Sequence, residues 1–245
     1  MKNVVSVALA ALVLATGLVC SSAVLSKFFV KVTHEKTIDV KGYAEQDVVS
    51  DVGKFTCTYT ATDPSLGSAY ERLGKARDAV LAHLHAKGFP DASLDVRTIH
   101  TTTLNKRDEK GNLLNLIEYY SLSQTIQVTS ENVRLIDEAA RSVTDLIKEG
   151  YMLSATQPDF HVSDLKGIKT KLLAEATADG QQRADILAGN SGGNLGPLAS
   201  ARQGVFQITE RNSTETSDYG MYDTSTIDKT VKAVVSLEYE VVSAR

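Results

Sequence analysis

The chain has 245 residues, 42% of them apolar, enough to bury one good core or two small ones. Its formal charge of −4, without long runs of one sign, argues against a nucleic-acid partner. No Trp and only four Pro suit an ordinary domain of mixed helix and strand.

The chain opens on a hydrophobic stretch. Val4 to Leu25 is apolar except for Ser6, Thr16, Gly17, Ser21 and Ser22. About 20 such residues span a bilayer, whereas a signal-peptide core needs about 7–15. The length favours an uncleaved anchor within residues 1–30, with residues 31–245 forming a periplasmic domain of a single-pass inner-membrane protein. Two alternatives stay open. Cleavage at Ser21-Ser22-Ala23 would give a soluble periplasmic protein, and lipidation at Cys20 would follow the poor lead Gly17-Leu18-Val19. All three send the body of the protein across the inner membrane.

That leaves Cys57 as the one cysteine of the exported part, so no internal disulfide can form. Phe55, Cys57 and Tyr59 alternate with Thr56, Thr58 and Thr60, which points Cys57 inward on a strand. A buried thiol is a small apolar side chain, not a redox sensor.

The pattern continues as strands and helices in turn. Thr37–Thr62 reads as two extended pieces broken around Ala44–Asp51. After the turn at Asp63-Pro64-Ser65, Leu66, Ala69, Tyr70, Leu73, Ala76, Val80, Leu81 and Leu84 mark an amphipathic helix that ends at Lys87-Gly88. A strand begins at Leu94, and Lys106–Asn112 is a solvated turn. From Tyr119 to Thr129, Tyr120, Leu122, Gln124, Ile126 and Val128 share one strand face. Val133, Ile136, Ala140, Val143, Leu146 and Ile147 form the next helix, closed by Gly150. A strand over Tyr151–Ser163 leads into a long helix.

That helix carries Leu165, Ile168, Leu172, Leu173, Ala176, Ala184, Leu187 and Ala188 at three-and-four spacing, capped by Ser163 or Asp164. Asp179 stands four residues before Arg183 on its wet face. It stops at Gly189-Asn190-Ser191-Gly192-Gly193, residues that tolerate a left-handed backbone. Strands over Leu198–Thr209 and Lys229–Val242 close the chain. The class is α+β, in the order β-β-α-β-β-α-β-α-β-β, with the long C-terminal helix packed on sheet.

Leu173-Ala174-Glu175-Ala176-Thr177-Ala178-Asp179, Arg183-Ala184, Leu187-Ala188 and Leu195-Gly196 resemble the closing helix and turn of the bacterial SIMPL-domain family. Gly204-Val205-Phe206-Gln207-Ile208-Thr209, Asp218–Ser225 and Val40-Lys41-Gly42-Tyr43-Ala44-Glu45 are similar to a membrane-anchored, periplasmic branch of it. The resemblance covers Thr37 to Val242. Gly180 stands where the family more often has alanine. No catalytic motif is known for the family, so the resemblance implies a fold and a location more than a reaction. It also implies large homo-oligomers and a link to envelope or oxidative stress.

The residues themselves offer little chemistry. His83 and His85, two apart on a helix, are turned about 200° from each other and cannot share a metal. Asp159 and His161 share a strand face, but two ligands do not make a metal site. Gly192-Gly193-Asn194-Leu195-Gly196 follows a helix and precedes a strand, the reverse of a phosphate loop, and reads as a turn. No cofactor is expected. The long segment Glu210–Asp228, with Tyr219, Met221 and Tyr222 at its middle, reads as a loop packed on its own domain, as an arm whose tip has the anchors of an interface, or as a disordered stretch. Ala174 and Ala178 on the long helix permit close approach of another backbone. The expectation is a non-enzymatic, membrane-anchored scaffold that self-assembles through these five residues. The alternative is a periplasmic hydrolase built from scattered acids and His161.

Overall fold

The computed structural model describes residues 15–17, 19, 21–22 and 36–243. Most of the segment Val4–Leu25, and with it the choice among anchor, cleaved signal and lipidation, lies outside the described residues. Among the described residues, no helix is long and apolar enough to cross a membrane.

The protein is α+β. In chain order the elements are β1 (Thr37–Val49), β2 (Val52–Asp63), α1 (Leu66–Ala86), β3 (Leu94–Val96), β4 (His100–Arg107), β5 (Leu113–Ser130), α2 (Val133–Ser142), β6 (Met152–Ala155), β7 (Asp159–His161), α3 (Leu165–Asn190), β8 (Gly193–Gln203), β9 (Gln207–Glu210), β10 (Met221–Tyr222) and β11 (Asp228–Ser243). They divide into two compact units. The larger holds Glu45–Leu172 and Val205–Lys232, and the smaller holds the described residues up to Ala44, Leu173–Gly204 and Ala233 onward.

In the larger unit, β3-β5-β2-β6 form a sheet, with β4 also on β5 and β7 also on β2. β2 and β5 pair antiparallel, with Phe55↔Val128, Cys57↔Ile126 and Tyr59↔Gln124 in register. The inward side chains pack on Ala69, Leu73, Ala76, Val80 and Leu84 of α1 and on Val133, Ile136 and Ala139 of α2. The alternation read from Phe55 to Tyr59 and from Leu122 to Val128 is therefore the core. Gln124 sits in that core because its amide is spent: Tyr59 Oη donates to Oε1 at 2.8 Å, and Nε2 donates to the Arg97 carbonyl at 2.7 Å. Cys57 is fully buried, and burial pushes its thiol up to about 11.

Several strand boundaries differ from the sequence reading. β1 runs unbroken to Val49, because Glu45 and Asp47 fall on exposed alternate positions. The expected break shrinks to Ser50-Asp51, whose N–H groups donate to the carbonyls of Ile227 and His161 at 2.9 Å each. The strand expected over Tyr151–Ser163 splits into β6 and β7 around Pro158, which has no N–H for the ladder. The strand from Leu94 likewise divides into β3 and β4, and Leu198–Thr209 divides into β8 and β9. The second helix tightens into 3-10 turns over Val143–Glu149 before Gly150 closes it at φ 93°. A three-residue period keeps Val143 and Leu146 buried but swings Ile147 out to solvent.

The smaller unit is built around the closing half of α3. Its buried positions there are Ala176, Gly180, Ala184 and Ala188, a seam spaced by four, while Leu187 faces solvent. The expected face was broader. It narrows because the helix backbone itself lies on β1. A Cβ on Gly42 would stand 2.0 Å from the Ala176 carbonyl oxygen and 2.8 Å from the Gly180 nitrogen. A Cβ on Gly180 would meet Leu237 Cδ1 at 2.7 Å and Gly42 Cα at 3.2 Å. Gly180 thus serves a close crossing of two backbones. Asp179 accepts the Tyr43 N–H at 2.9 Å and Arg183 Nε at 2.8 Å, so the wet-face pair also holds the strand. The expected turn Gly193–Gly196 is instead the start of β8. A Cβ at Gly193 would fall 2.6 Å from Val241 Cγ1, and one at Gly196 would fall 2.8 Å from the Glu240 oxygen, so these glycines let β8 lie against β11.

Candidate functional site

Two features of the larger unit stand out. The first is the segment between β9 and β11, read from the sequence as a packed loop, a docking arm or a disordered stretch. It is held onto its own unit. Gln207 exchanges two hydrogen bonds with the Ser217 backbone, at 2.6 and 3.4 Å. β10 pairs parallel to β9, with Met221↔Gln207 and Tyr222↔Ile208. Thr224 accepts from the Phe160 N–H at 2.7 Å and donates its hydroxyl to Asp159 at 2.9 Å.

At its centre is Asp223. Its carboxylate accepts from the Ser225 N–H and hydroxyl at 2.9 and 2.6 Å, from the Thr226 N–H and hydroxyl, and from Lys229 Nζ at 3.1 Å. Burial pushes this carboxyl up, but the bonds from Ser225, Thr226 and Lys229 outweigh it and hold the group well below the usual carboxylate range. The Lys229 side chain is only 1% exposed, so Asp223 neutralises a buried ammonium. The sequence carried a signal for this pair: Lys229 is in step with the buried Val231, Ala233, Val235 and Leu237.

Of the five residues proposed for assembly, Tyr219 is 97% exposed, Met221 is half-buried and Tyr222 is partly exposed. Ala174 and Ala178 lie on the exposed side of α3, in the other unit. The Tyr222 hydroxyl and His161 Nδ1 are 3.3 Å apart, with the rings stacked at 6.0 Å. His161 Nε2 is buried without a partner. Burial lowers the pKa of His161, Lys54 and Lys229 lower it further, and Asp159 opposes them. The imidazole is therefore neutral near pH 7. Asp159 serves Thr224, and Asp51 accepts the N–H and hydroxyl of Ser163. His83 meets Ser142 Oγ at 3.1 Å, and His85 meets the Phe89 carbonyl at 3.0 Å. Among the described residues, no three or more His, Cys, Asp or Glu are grouped to hold a metal ion.

The second feature is the β4–β5 hairpin, a surface the sequence reading missed by starting the strand at Tyr119. β2 ends its pairing with β5 at Asp63↔Tyr120, so the hairpin beyond that point has only its own two strands. Leu104, Leu113, Leu114, Leu116, Ile117 and Tyr119 are all between 38% and 64% exposed. Pairing steps from Leu104↔Tyr119 to Asn105↔Ile117 and then to Arg107↔Leu113, so the extra residues bulge on the β5 side. The tip is polar: Asp108 accepts from the N–H groups of Lys110 and Asn112 at 2.9 and 2.8 Å. A two-stranded ribbon is marginal in water by itself. An apolar one exposed on both sides marks an interaction surface. At its root, Leu66, Gly67, Tyr70, Ile99, Thr101 and Leu122 line an open apolar cleft of about 520 Å³.

The comparisons with known proteins come down to one family. The model for SIMPL, described as a protein of unknown function (DUF541), matches residues 38–239. No curated protein matches the sequence. Among solved structures, a de novo designed protein, Foldit4, is 11% identical, covers 42% of this chain and 93% of its own, and superposes with a TM-score of 0.24. The regulatory subunit of aspartate kinase from Thermus thermophilus is 12% identical over 82% of this chain and 88% of its own, with a TM-score of 0.20. A putative glycine cleavage system transcriptional repressor is 9% identical over 79% and 83%, with a TM-score of 0.23. Likeness at these scores carries no functional argument, whereas the family model spans most of the chain. The protein belongs to the SIMPL family.

Proposed function

We propose that this is a non-enzymatic, self-assembling interaction module of the bacterial cell envelope. Val4–Leu25 anchors it in the inner membrane, and residues 31–245 stand in the periplasm. The observation that carries the reading is the β4–β5 hairpin, whose six exposed apolar side chains are left uncovered by the other described residues. Anchoring supports it further, because confinement to a membrane raises the concentration of like subunits and populates weak contacts. Tyr219, Met221 and Tyr222, together with Ala174 and Ala178, supply secondary contacts in the assembly. The resemblance adds a role in envelope or oxidative stress.

Amine-reactive cross-linking of spheroplasts tests the proposal. A ladder of multimers on the periplasmic side is expected, and a single monomer band contradicts self-assembly. The second reading, a periplasmic hydrolase, is favoured by the unpartnered Nε2 of His161. Against it, the neighbouring Asp159 is engaged by Thr224. A hydrolytic activity lost in His161→Ala would establish that reading.

A further inference from the structure

The hairpin and the cleft at its root are two apolar surfaces of the larger unit. The arm offers Leu113, Leu114, Leu116 and Ile117, and the cleft offers Leu66, Tyr70, Ile99 and the floor residue Leu122. The named side chains carry no charge, and the exposed Lys106, Arg107 and Glu118 of the arm would have to stay solvated at the rim of such a contact.

The arm cannot fill its own cleft. Thr101 pairs with Leu122 at the cleft, and Arg107 pairs with Leu113 near the tip. Six residue steps along β4 separate the two pairs, about 20 Å of extended chain at ~3.3 Å each. The ladder holds that stretch out and away from its root. Among the described residues, none fills the cleft.

We infer that the β4–β5 arm of one copy seats in the Leu66–Tyr70–Leu122 cleft of a second copy, and that the exchange is reciprocal. This rests on the self-assembly proposed above and names the surfaces that carry it. A second copy is the occupant because the same chain carries both complementary halves, and two-fold exchange closes the contact with no arm left over. The size is that of a weak contact. An arm about 20 Å long and two strands wide presents on the order of 200 Å² on each face. One arm face and one cleft give each subunit a share on the order of 400 Å², the low end of interface sizes, which confinement to a membrane would populate. Exchange also covers a ribbon whose open edges would otherwise recruit other chains.

The test uses the full-length protein in detergent. Leu116→Cys and Tyr70→Cys are made as separate variants, each in a Cys20→Ser background, mixed and mildly oxidised; the buried Cys57 does not compete. A disulfide-linked dimer is expected from the mixture, and much less from either variant alone. Leu116→Asp with Ile117→Asp is expected to lower the mass seen by light scattering, as is Tyr70→Asp, with thermal melting of the exposed-site variants near the parent's. A multimeric parent whose mass survives both changes, with no cross-link in the mixture, overturns the arm-in-cleft contact and leaves self-assembly standing. A monomeric parent overturns both and assigns the arm to another protein or to lipid.

Discussion

Gly42 and Gly180 are the residues where the fold is least forgiving. At Gly42 an added methyl would have to displace backbone, not a side-chain tip. Gly42→Ala should cost at least the 1–3 kcal/mol typical of overpacking, read as a fall in the denaturation midpoint. Gly180→Ala should cost less, because Leu237 Cδ1 can move and alanine gains about 1 kcal/mol of helix propensity. An unchanged midpoint for Gly42→Ala would mean that α3 does not cross β1 this closely.

The Asp223–Lys229 pair sets the acid behaviour. Asp223 titrates lower in the folded chain than the roughly 3.9 of an unfolded carboxyl, so the unfolded state binds the proton first. Its contribution is complete above about pH 5 and is lost as pH falls through 4 toward the folded value. His161, whose folded pKa is also lowered, begins the loss earlier, below about 6.5. Melting followed from pH 7 to pH 3 should therefore fall more steeply for the parent than for Asp223→Asn. At pH 7, Asp223→Ala should cost about 3–5 kcal/mol, since it leaves a buried ammonium unpaired. Parallel pH profiles for parent and variant would contradict this role. Cys57→Ser, which buries a hydroxyl in an apolar core, should cost about 1–2 kcal/mol, and the native thiol should label slowly.

Among the elements, the segment between β9 and β11 has changed character. Its expected freedom would make a deletion of Thr216–Thr224 harmless to folding. With Asp223 and Thr224 inside that stretch, the deletion should destabilise the larger unit, while Tyr219→Ala alone should not. What was legible in the sequence follows from periodicity. α1, β2 and β5 from Leu122 onward each bury one face, so spacing of 3.6 or 2 betrays them. The narrow seam of α3 was partly hidden, because glycine has no hydrophobic signal and Leu187 mimics a core position that solvent occupies. The arm was hidden for the opposite reason. Leu113-Leu114-Asn115-Leu116-Ile117 is apolar enough for a core, and no local pattern tells that the other described residues leave it uncovered. Lys229 could have been found, since strand alternation puts it among valines; only its partner, six residues away across a turn, needed the structure.

The molecule as a whole is a SIMPL-family chain with an α+β fold. N-terminal sequencing of the mature protein should find an unprocessed Val4–Leu25; a chain beginning at Val24 would remove the anchor and leave export in place. The most direct measurement of the central claim is the native mass of the full-length protein extracted from membranes, followed through a dilution series. The account predicts a discrete multimer that dissociates to monomer on dilution. A monomer at every concentration would contradict it.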